Sequence, residues 1–435
     1  MAGSPYDLDL LLAVAREEIE HLRADPRLGE VQGTRGEALR EHVLDLYAAV
    51  ETRLENRPAS TASAQVRDAY ARSLREAIIA VQSSHAALPW LAASRSPRLN
   101  LGSLYLTEEC ARTLVGSEVD LVVVPNDRFM YSVVSWPFLP VVQGAPGYVA
   151  ATARRPIVLN YPLSDSNRLL LHPVFAHELG HPSVQEHRLV EAAEQELAAD
   201  AEFVIAFHQT IATLQDQFPH APESELSGLV RRRLRFWLEE LLCDHLALDF
   251  LGPAFLWAFS QFVMPLSYNR PADKHPPNTL RIQLGLLHLT DRGWRPYMET
   301  VAPQVTGWLD EIAADTNTQA FGPAEIFICS QLSRRSDVLR SLAAERVGTE
   351  QLDVDEAERE AAQAVELLQE LILPIGLDDT LTSRAILMGG WQFAFQKHGD
   401  SSGGMVRALR DVALQELVGK AMEMSTVSTA WKQSV

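Results

Sequence analysis

His172-Pro173-Val174-Phe175-Ala176-His177-Glu178-Leu179-Gly180-His181 sets two histidines four residues apart, with a glutamate directly after the first. On an α-helix, positions i and i+4 lie one above the other on the same face. Both imidazoles can therefore reach one metal ion, and Glu178 can reach a water beside it. This is the HExxH arrangement, in which zinc lowers the pKa of its water and the glutamate takes the proton. The flanking Leu169, Leu170, Leu171, Val174 and Phe175 predict a buried helix, and a buried His-Glu-His cluster without a metal would be costly to keep. Pro182 follows the second histidine. A proline clashes with the carbonyl four residues back and biases its predecessor away from helix, so the metal helix is expected to end or kink there.

A catalytic zinc needs a third protein ligand and an open position. Two carboxylate pairs of the form Glu-x-x-x-Asp qualify: Glu240 with Asp244, and Glu196 with Asp200. Their spacing again places both acids on one helical face, so the glutamate can bind metal while the aspartate hydrogen-bonds a ligand imidazole from behind. Glu240 is preferred because Phe236, Trp237, Leu238, Leu241, Leu242 and Leu246 make its helix strongly apolar, whereas Glu196 lies among Glu191, Glu194 and alanines. Glu196 stays open as the alternative. Glu239 is rotated about 100° around the helix from Glu240 and is not expected to be a ligand.

A third element follows, Lys274-His275-Pro276-Pro277-Asn278-Thr279-Leu280-Arg281-Ile282. The ordered set of HExxH, Glu-x-x-x-Asp, and His-Pro with a later arginine is similar to the zinc endopeptidases of the HtpX and CaaX prenyl-protease group. These are zincins with a glutamate ligand, as thermolysin is. The resemblance spans roughly residues 155–290, about a third of the chain. It implies Zn2+ held by His177, His181 and Glu240, with Glu178 as general base. It also implies that Asp244 supports a ligand from behind, that His275 lies near the substrate carbonyl, and that Arg281 orders the carboxylates. Members of that group are usually membrane-embedded, and this chain departs from them in having no clear spanning segment.

The rest of the chain frames that core. Its 435 residues, 47% hydrophobic and 22% charged, suit a soluble globular protein of two or three domains or one large one. A net charge of −19 argues against nucleic acid as a partner, and the Arg231–Arg235 run reads as a solvated helix face. Cys110, Cys243 and Cys329 are far apart and odd in number, which implies no disulfide framework and suits a reducing, cytoplasmic setting. Cys243 reads as a small buried apolar residue, and His187, His208 and His245 as structural. The N-terminus lacks the basic and apolar regions of a signal peptide. Residues 251–266 are too short and interrupted to span a bilayer and read as a core helix, so no stable membrane insertion is expected.

Apolar residues recur at helical intervals from Leu8 to Val81, with polar breaks at Arg27–Gly36 and Asn56–Ala62. Pro97, Asn100 and Gly102 mark a boundary, after which Val119–Val124, Val133–Trp136 and Pro156–Pro162 read as strands. The resemblance implies that the last is an edge strand able to pair with an extended substrate. An internal strand of a small sheet is the equal alternative, although Pro162 suits an edge. Helices return at 301–315, about 324–346, 353–373 and 405–424, with Gly399–Gly404 as a flexible loop. The expectation is an α+β, mostly helical chain: a helical region over 1–94, a zincin-like protease core with a small sheet over 95–300, and a helical region over 301–435. The expected activity is hydrolysis of peptide bonds in a protein or peptide substrate. The alternatives are a zinc hydrolase of a non-peptide amide, and a zinc-containing scaffold whose helical flanks bind a protein partner.

Overall fold

In the computed structural model the described residues are 8–29, 37–84, 99–126, 130–135, 155–264, 271–315, 321–347, 353–372 and 381–434. Pro97 and Trp136 lie outside them. The helical periodicity near the start forms three long helices, α1 (Leu8–Arg23), α2 (Glu37–Glu55) and α3 (Ala64–Ser84), with a single helical turn at Pro26–Gly29 at the start of the break expected between the first two. Leu12, Ala15 and Ile19 of α1 face Leu39, Val43, Leu46 and Tyr47 of α2 and Leu74, Ile78 and Val81 of α3 in one buried cluster.

Helix α4 (Leu101–Leu114) precedes three strands, β1 (Val119–Asn126), β2 (Ser132–Ser135) and β3 (Arg155–Pro162), which form a sheet in the order β1-β3-β2. β3 runs parallel to β1, from Val119 opposite Arg155 to Asn126 opposite Pro162. It runs antiparallel to β2, from Ser132 opposite Asn160 to Ser135 opposite Ile157. Of the two equal expectations, an edge strand and an internal one, the structure shows the internal one: β3 is central and has both sides occupied. Its sequence explains the place, because Ile157, Val158 and Leu159 are all buried, the near-continuous apolar run of a strand covered on both faces. Pro156 and Pro162 are tolerated because both fall outside the span that β2 pairs.

Helices follow from there: α5 (Val174–Glu186), α6 (Leu189–Ala199), α7 (Ala201–Gln217), α8 (Glu223–Leu251), α9 (Pro253–Val263), α10 (Asn278–Asp291), α11 (Arg295–Val301) and α12 (Pro303–Ala313). The last six are α13 (Pro323–Arg334), α14 (Ser336–Val347), α15 (Val354–Gln369), α16 (Ser383–His398), α17 (Ser402–Arg410) and α18 (Val412–Ser434). The described residues are thus mostly helical with one small sheet. Its contacts divide it into two units, Met1–Arg98 with Gly116–Leu163, and Leu99–Val115 with Ser164–Val435. The division does not fall at 94/95 or 300/301, for two reasons of packing. Val122, Val124 and Val158 of the sheet belong to the same buried cluster as α1–α3. Helix α4 instead packs on α5 and α18.

In the second unit, α8 is the central rod. Its first half buries one stripe (Leu226, Val230, Leu234), whereas every residue from Glu240 to Leu251 is buried, as befits a helix surrounded by others. Helices α5, α6, α10 and α14 pack along it. The arginine run faces outward as expected, with Arg231, Arg232 and Arg235 exposed. Its charges are also matched: Arg235 reaches Glu191 and Glu194, and Arg233 reaches Asp273 and Glu325. The apolar stretch after 251 is the buried 11-residue helix α9. Among the described residues no helix is long and apolar enough to cross a membrane.

Two C-terminal features differ from expectation. Helix α16 lies between the expected helices at 353–373 and 405–424, in a stretch for which no helix is expected, and it contains Gly389-Gly390. A Cβ on Gly389 would lie 2.6 Å from Ala364 Cβ and 2.8 Å from the Ala361 carbonyl, so the glycine lets α16 close on α15. The expected Gly399–Gly404 loop is shorter than predicted: Ser401 caps α17 by accepting from the Gly404 amide, and the helix begins at Ser402.

Two buried histidines give this unit a pH dependence. The His172 Nε2–H donates to the Asp165 carbonyl (2.9 Å), and Nδ1 accepts from the Ser103 hydroxyl (2.8 Å). His245 lies Nδ1 to Nδ1 at 3.0 Å from His288. Burial holds His172 down at about 4 and, with His288 beside it, holds His245 down at about 3. Both rings stay neutral in the folded chain while the unfolded chain protonates them below 6.5. Their contribution to stability is complete above that pH and is lost as the pH falls, by about 1.4 kcal/mol per pH unit for each ring. The slope of unfolding free energy against pH in metal-free protein, taken from about pH 6 to pH 5, should drop by about one proton in His172→Gln. An unchanged slope would mean that the ring is solvated.

Candidate metal centre

Two helices build the centre. Helix α5 carries His177, Glu178 and His181, and α8 carries Glu239, Glu240 and Asp244. Helix α5 does not end at Pro182 as expected but continues to Glu186. A proline removes one hydrogen bond from a helix interior, and here packing outweighs that loss: Leu179, Gly180, Pro182, Ser183 and Val184 are all buried. The i,i+4 histidines therefore keep their shared face, with ring centroids 5.2 Å apart.

The approach of α5 to α8 depends on Gly180. A Cβ there would sit 3.0 Å from both Cα and Cβ of Cys243, against helix backbone that cannot swing aside. Cys243 is itself buried, as expected. Gly180→Ala should force the helices apart, lowering stability by about 1–3 kcal/mol and loosening the metal donors together. Urea unfolding and metal titration of the variant check this; an unaltered midpoint would show that the two helices have slack.

His177, His181 and Glu240 each offer a donor atom, and the three atoms lie within 4.8 Å of one another, so the group could hold a metal ion. Glu240 faces both rings through the same ring atom, with Oε2 3.4 Å from His177 Nε2 and Oε1 3.7 Å from His181 Nε2. Donors bound tetrahedrally at zinc distances stand about 3.3 Å apart, so the spacing fits. The opposite nitrogens are committed to acids: His177 Nδ1–H donates to Asp244 Oδ1 (2.8 Å) and His181 Nδ1–H to Glu239 Oε1 (3.1 Å). Both Nδ1 atoms are thereby held as donors to acids, which turns each Nε2 toward Glu240 as the atom that would bind a metal once it is free of a proton. Among the described residues no fourth donor joins the group.

Arg281 of α10 ties the acids together. Its Nε and Nη2 donate to the two oxygens of Asp244 (2.7 and 2.6 Å), and Nη1 lies 3.4 Å from Glu240 Oε2. Its guanidinium carbon stands 4.3 Å over the Phe259 ring, and the Phe255 ring lies parallel to His177. Arg281 Nη2 also comes within 3.3 Å of His177 Nδ1, but both are donors converging on Asp244 Oδ1. Burial opposes the charge on His177, and the Asp244 carboxylate beside it prevails, holding its pKa up at about 10. Burial likewise opposes ionisation of Glu240 and Asp244. Hydrogen bonds from His177 and His275 hold Glu240 well below the usual carboxylate range, and Arg281 lowers Asp244.

His275 is the exposed edge of the site. Its Nδ1 is 3.1 Å from Glu240 Oε2, with 59% of the side chain open to solvent, so it borders the centre without being one of its donors. The segment that carries it is fastened to α8: Trp237 Nε1 donates to the Ala272 carbonyl (3.2 Å), and Asp273 accepts from Arg233 (2.5 Å). Glu178, directly after His177, is half-buried, and its side chain makes no hydrogen bond or ion pair among the described residues.

The residues brought together are thus His177, Glu178, His181, Glu240, Asp244, His275 and Arg281. Glu196 is exposed on α6 and is not part of the donor group, and its partner Asp200 caps α7 by accepting from the Glu202 amide. Sequence reasoning missed Glu239 and Gly180. Glu239 is not in the donor group, as its rotation from Glu240 predicts, and that same rotation lets it meet the other side of His181. No family model matches the chain, and searches of curated proteins and of solved structures find no match.

Proposed function

We propose that this chain is a zinc-dependent peptidase of the glutamate-ligand zincin type, similar in its motifs to the HtpX and CaaX prenyl-protease group, acting on a protein or peptide substrate. The observation that supports this most is a three-donor group with each imidazole backed by an acid, next to a glutamate that no other described residue engages. Structural zinc sites are closed by four protein ligands, whereas catalytic ones keep a position open. Zinc held there supplies Lewis-acid polarisation and makes a nearby water acidic at neutral pH.

The chain's own groups would do the rest. Glu178 takes the proton of the attacking water and passes it to the departing amine. His275, at the solvent-facing rim, donates a hydrogen bond to the oxyanion that develops on the substrate carbonyl. Asp244 and Glu239 keep the two imidazoles turned, and Arg281 fixes Asp244 and Glu240 in place.

Elemental analysis of purified protein should find about one zinc per chain, and cleavage of an unfolded protein substrate should stop with a chelator and return with Zn2+. Zinc without cleavage of any peptide, but with hydrolysis of small amides, would move the assignment to a non-peptide amidase. Zinc without hydrolysis of either, and a protein partner lost on deleting residues 1–90, would make the chain a scaffold.

A further inference from the structure

We infer that Glu239 is a positioning residue for the metal, holding His181 as Asp244 holds His177, so that three acids of one helix serve two imidazoles. The inference rests on the metal reading above and adds a residue whose place next to Glu240 conceals its role.

Consecutive residues of a helix point about 100° apart, and Glu239 and Glu240 use that divergence on the same ring. Glu240 Oε1 approaches His181 Nε2 at 3.7 Å, while Glu239 Oε1 accepts from His181 Nδ1 at 3.1 Å. His181 is thus clasped at both nitrogens from one short stretch of α8. Gln185, one turn beyond His181 on α5, donates through Nε2 to the same Glu239 oxygen at 3.1 Å, which keeps the carboxylate turned toward the ring. The Glu239 side chain is 25% exposed, so it is placed as a rim buttress, whereas Asp244 is 5% exposed. An imidazole whose far nitrogen donates to a carboxylate is locked in one tautomer and is a stronger donor at the near one. Without Glu239, the His181 ring, 19% exposed, could turn over and present Nδ1 to water.

The test is metal affinity, which does not depend on whether the chain is a peptidase. Zn2+ binding by chelator competition at fixed pH would be compared among wild type, Glu239→Gln, Glu239→Asp and Gln185→Leu. Glu239→Gln should bind Zn2+ 10–100-fold more weakly while unfolding at the wild-type urea midpoint. Glu239→Asp should recover part of that loss, because it restores the acceptor charge at shorter reach. Gln185→Leu should lose less than Glu239→Gln. In the Co2+-loaded protein, the d–d absorption band should change in Glu239→Gln, as a merely structural surface glutamate would not make it do. Wild-type affinity and an unchanged Co2+ band in Glu239→Gln would overturn the role of Glu239 alone. Absence of Zn2+ binding by the wild type would overturn both this inference and the metal reading beneath it, and so is distinguishable.

Discussion

Arg281→Met is expected to destabilise the metal-free protein by about 3–5 kcal/mol, the cost of leaving a buried charge without its partner. In the folded chain the buried charges balance without a metal: Glu240 and Asp244 against the Arg281 guanidinium and a His177 that Asp244 keeps protonated. Methionine matches much of the arginine stem and its packing against Phe259, so the change isolates the charge. Asp244 then loses both arginine bonds and Glu240 its nearest fixed cation, in a site where both acids are under a tenth exposed. Arg281→Lys should fall between, because an ammonium supplies the charge but cannot grip both Asp244 oxygens at once. Urea unfolding in the presence of a chelator measures each step. A loss under about 1 kcal/mol for Arg281→Met would place the two acids in contact with solvent, against the burial that makes the site preorganised. The same balance predicts that α5, α8 and α10 stay folded in the presence of a chelator, so an ion held by this group would enter a site already built.

The readable parts of this chain are those where chemistry or periodicity forces a residue's hand. Two histidines at i,i+4 share a helix face, and an i,i+4 acid pair on an apolar helix is expected to turn both acids toward a common neighbour. Hence His177, His181, Glu240 and Asp244 were legible before any coordinates, as was the mostly helical architecture with three short strands. What stayed hidden depends on distant neighbours. The central place of β3 follows from β2 folding back along it, a pairing that no local pattern records. Gly180 and Gly389 look like weak points in helices until Cys243 and Ala364 are found against them. The sheet's membership with α1–α3 rests on three valines meeting leucines some hundred residues away. A local rule also misled where tertiary packing overrode it: Pro182 should end or kink α5, and the helix runs on to Glu186.

Glu178→Gln should lower kcat for peptide cleavage by about 10²–10⁴-fold, the range that a positioned general base contributes, and should leave both zinc content and fold as they are. The separation is expected because of what Glu178 does not do. It is absent from the donor group, and among the described residues it makes no hydrogen bond or ion pair, so the amide replaces a carboxylate on which no folded-state contact depends. Glutamine keeps the shape and the ability to hydrogen-bond a water but cannot accept its proton at neutral pH. Binding of substrate should survive, so the loss should appear in kcat with KM little changed. Glu240→Gln supplies the contrast: it removes a donor and should weaken zinc binding by more than the 10–100-fold expected of a residue behind a ligand. If Glu178→Gln cleaves at the wild-type rate with its zinc intact, some other group removes the proton and the assigned base is wrong. If it loses zinc as well, Glu178 belongs to the grip on the ion, and the open position inferred from three donors is not open.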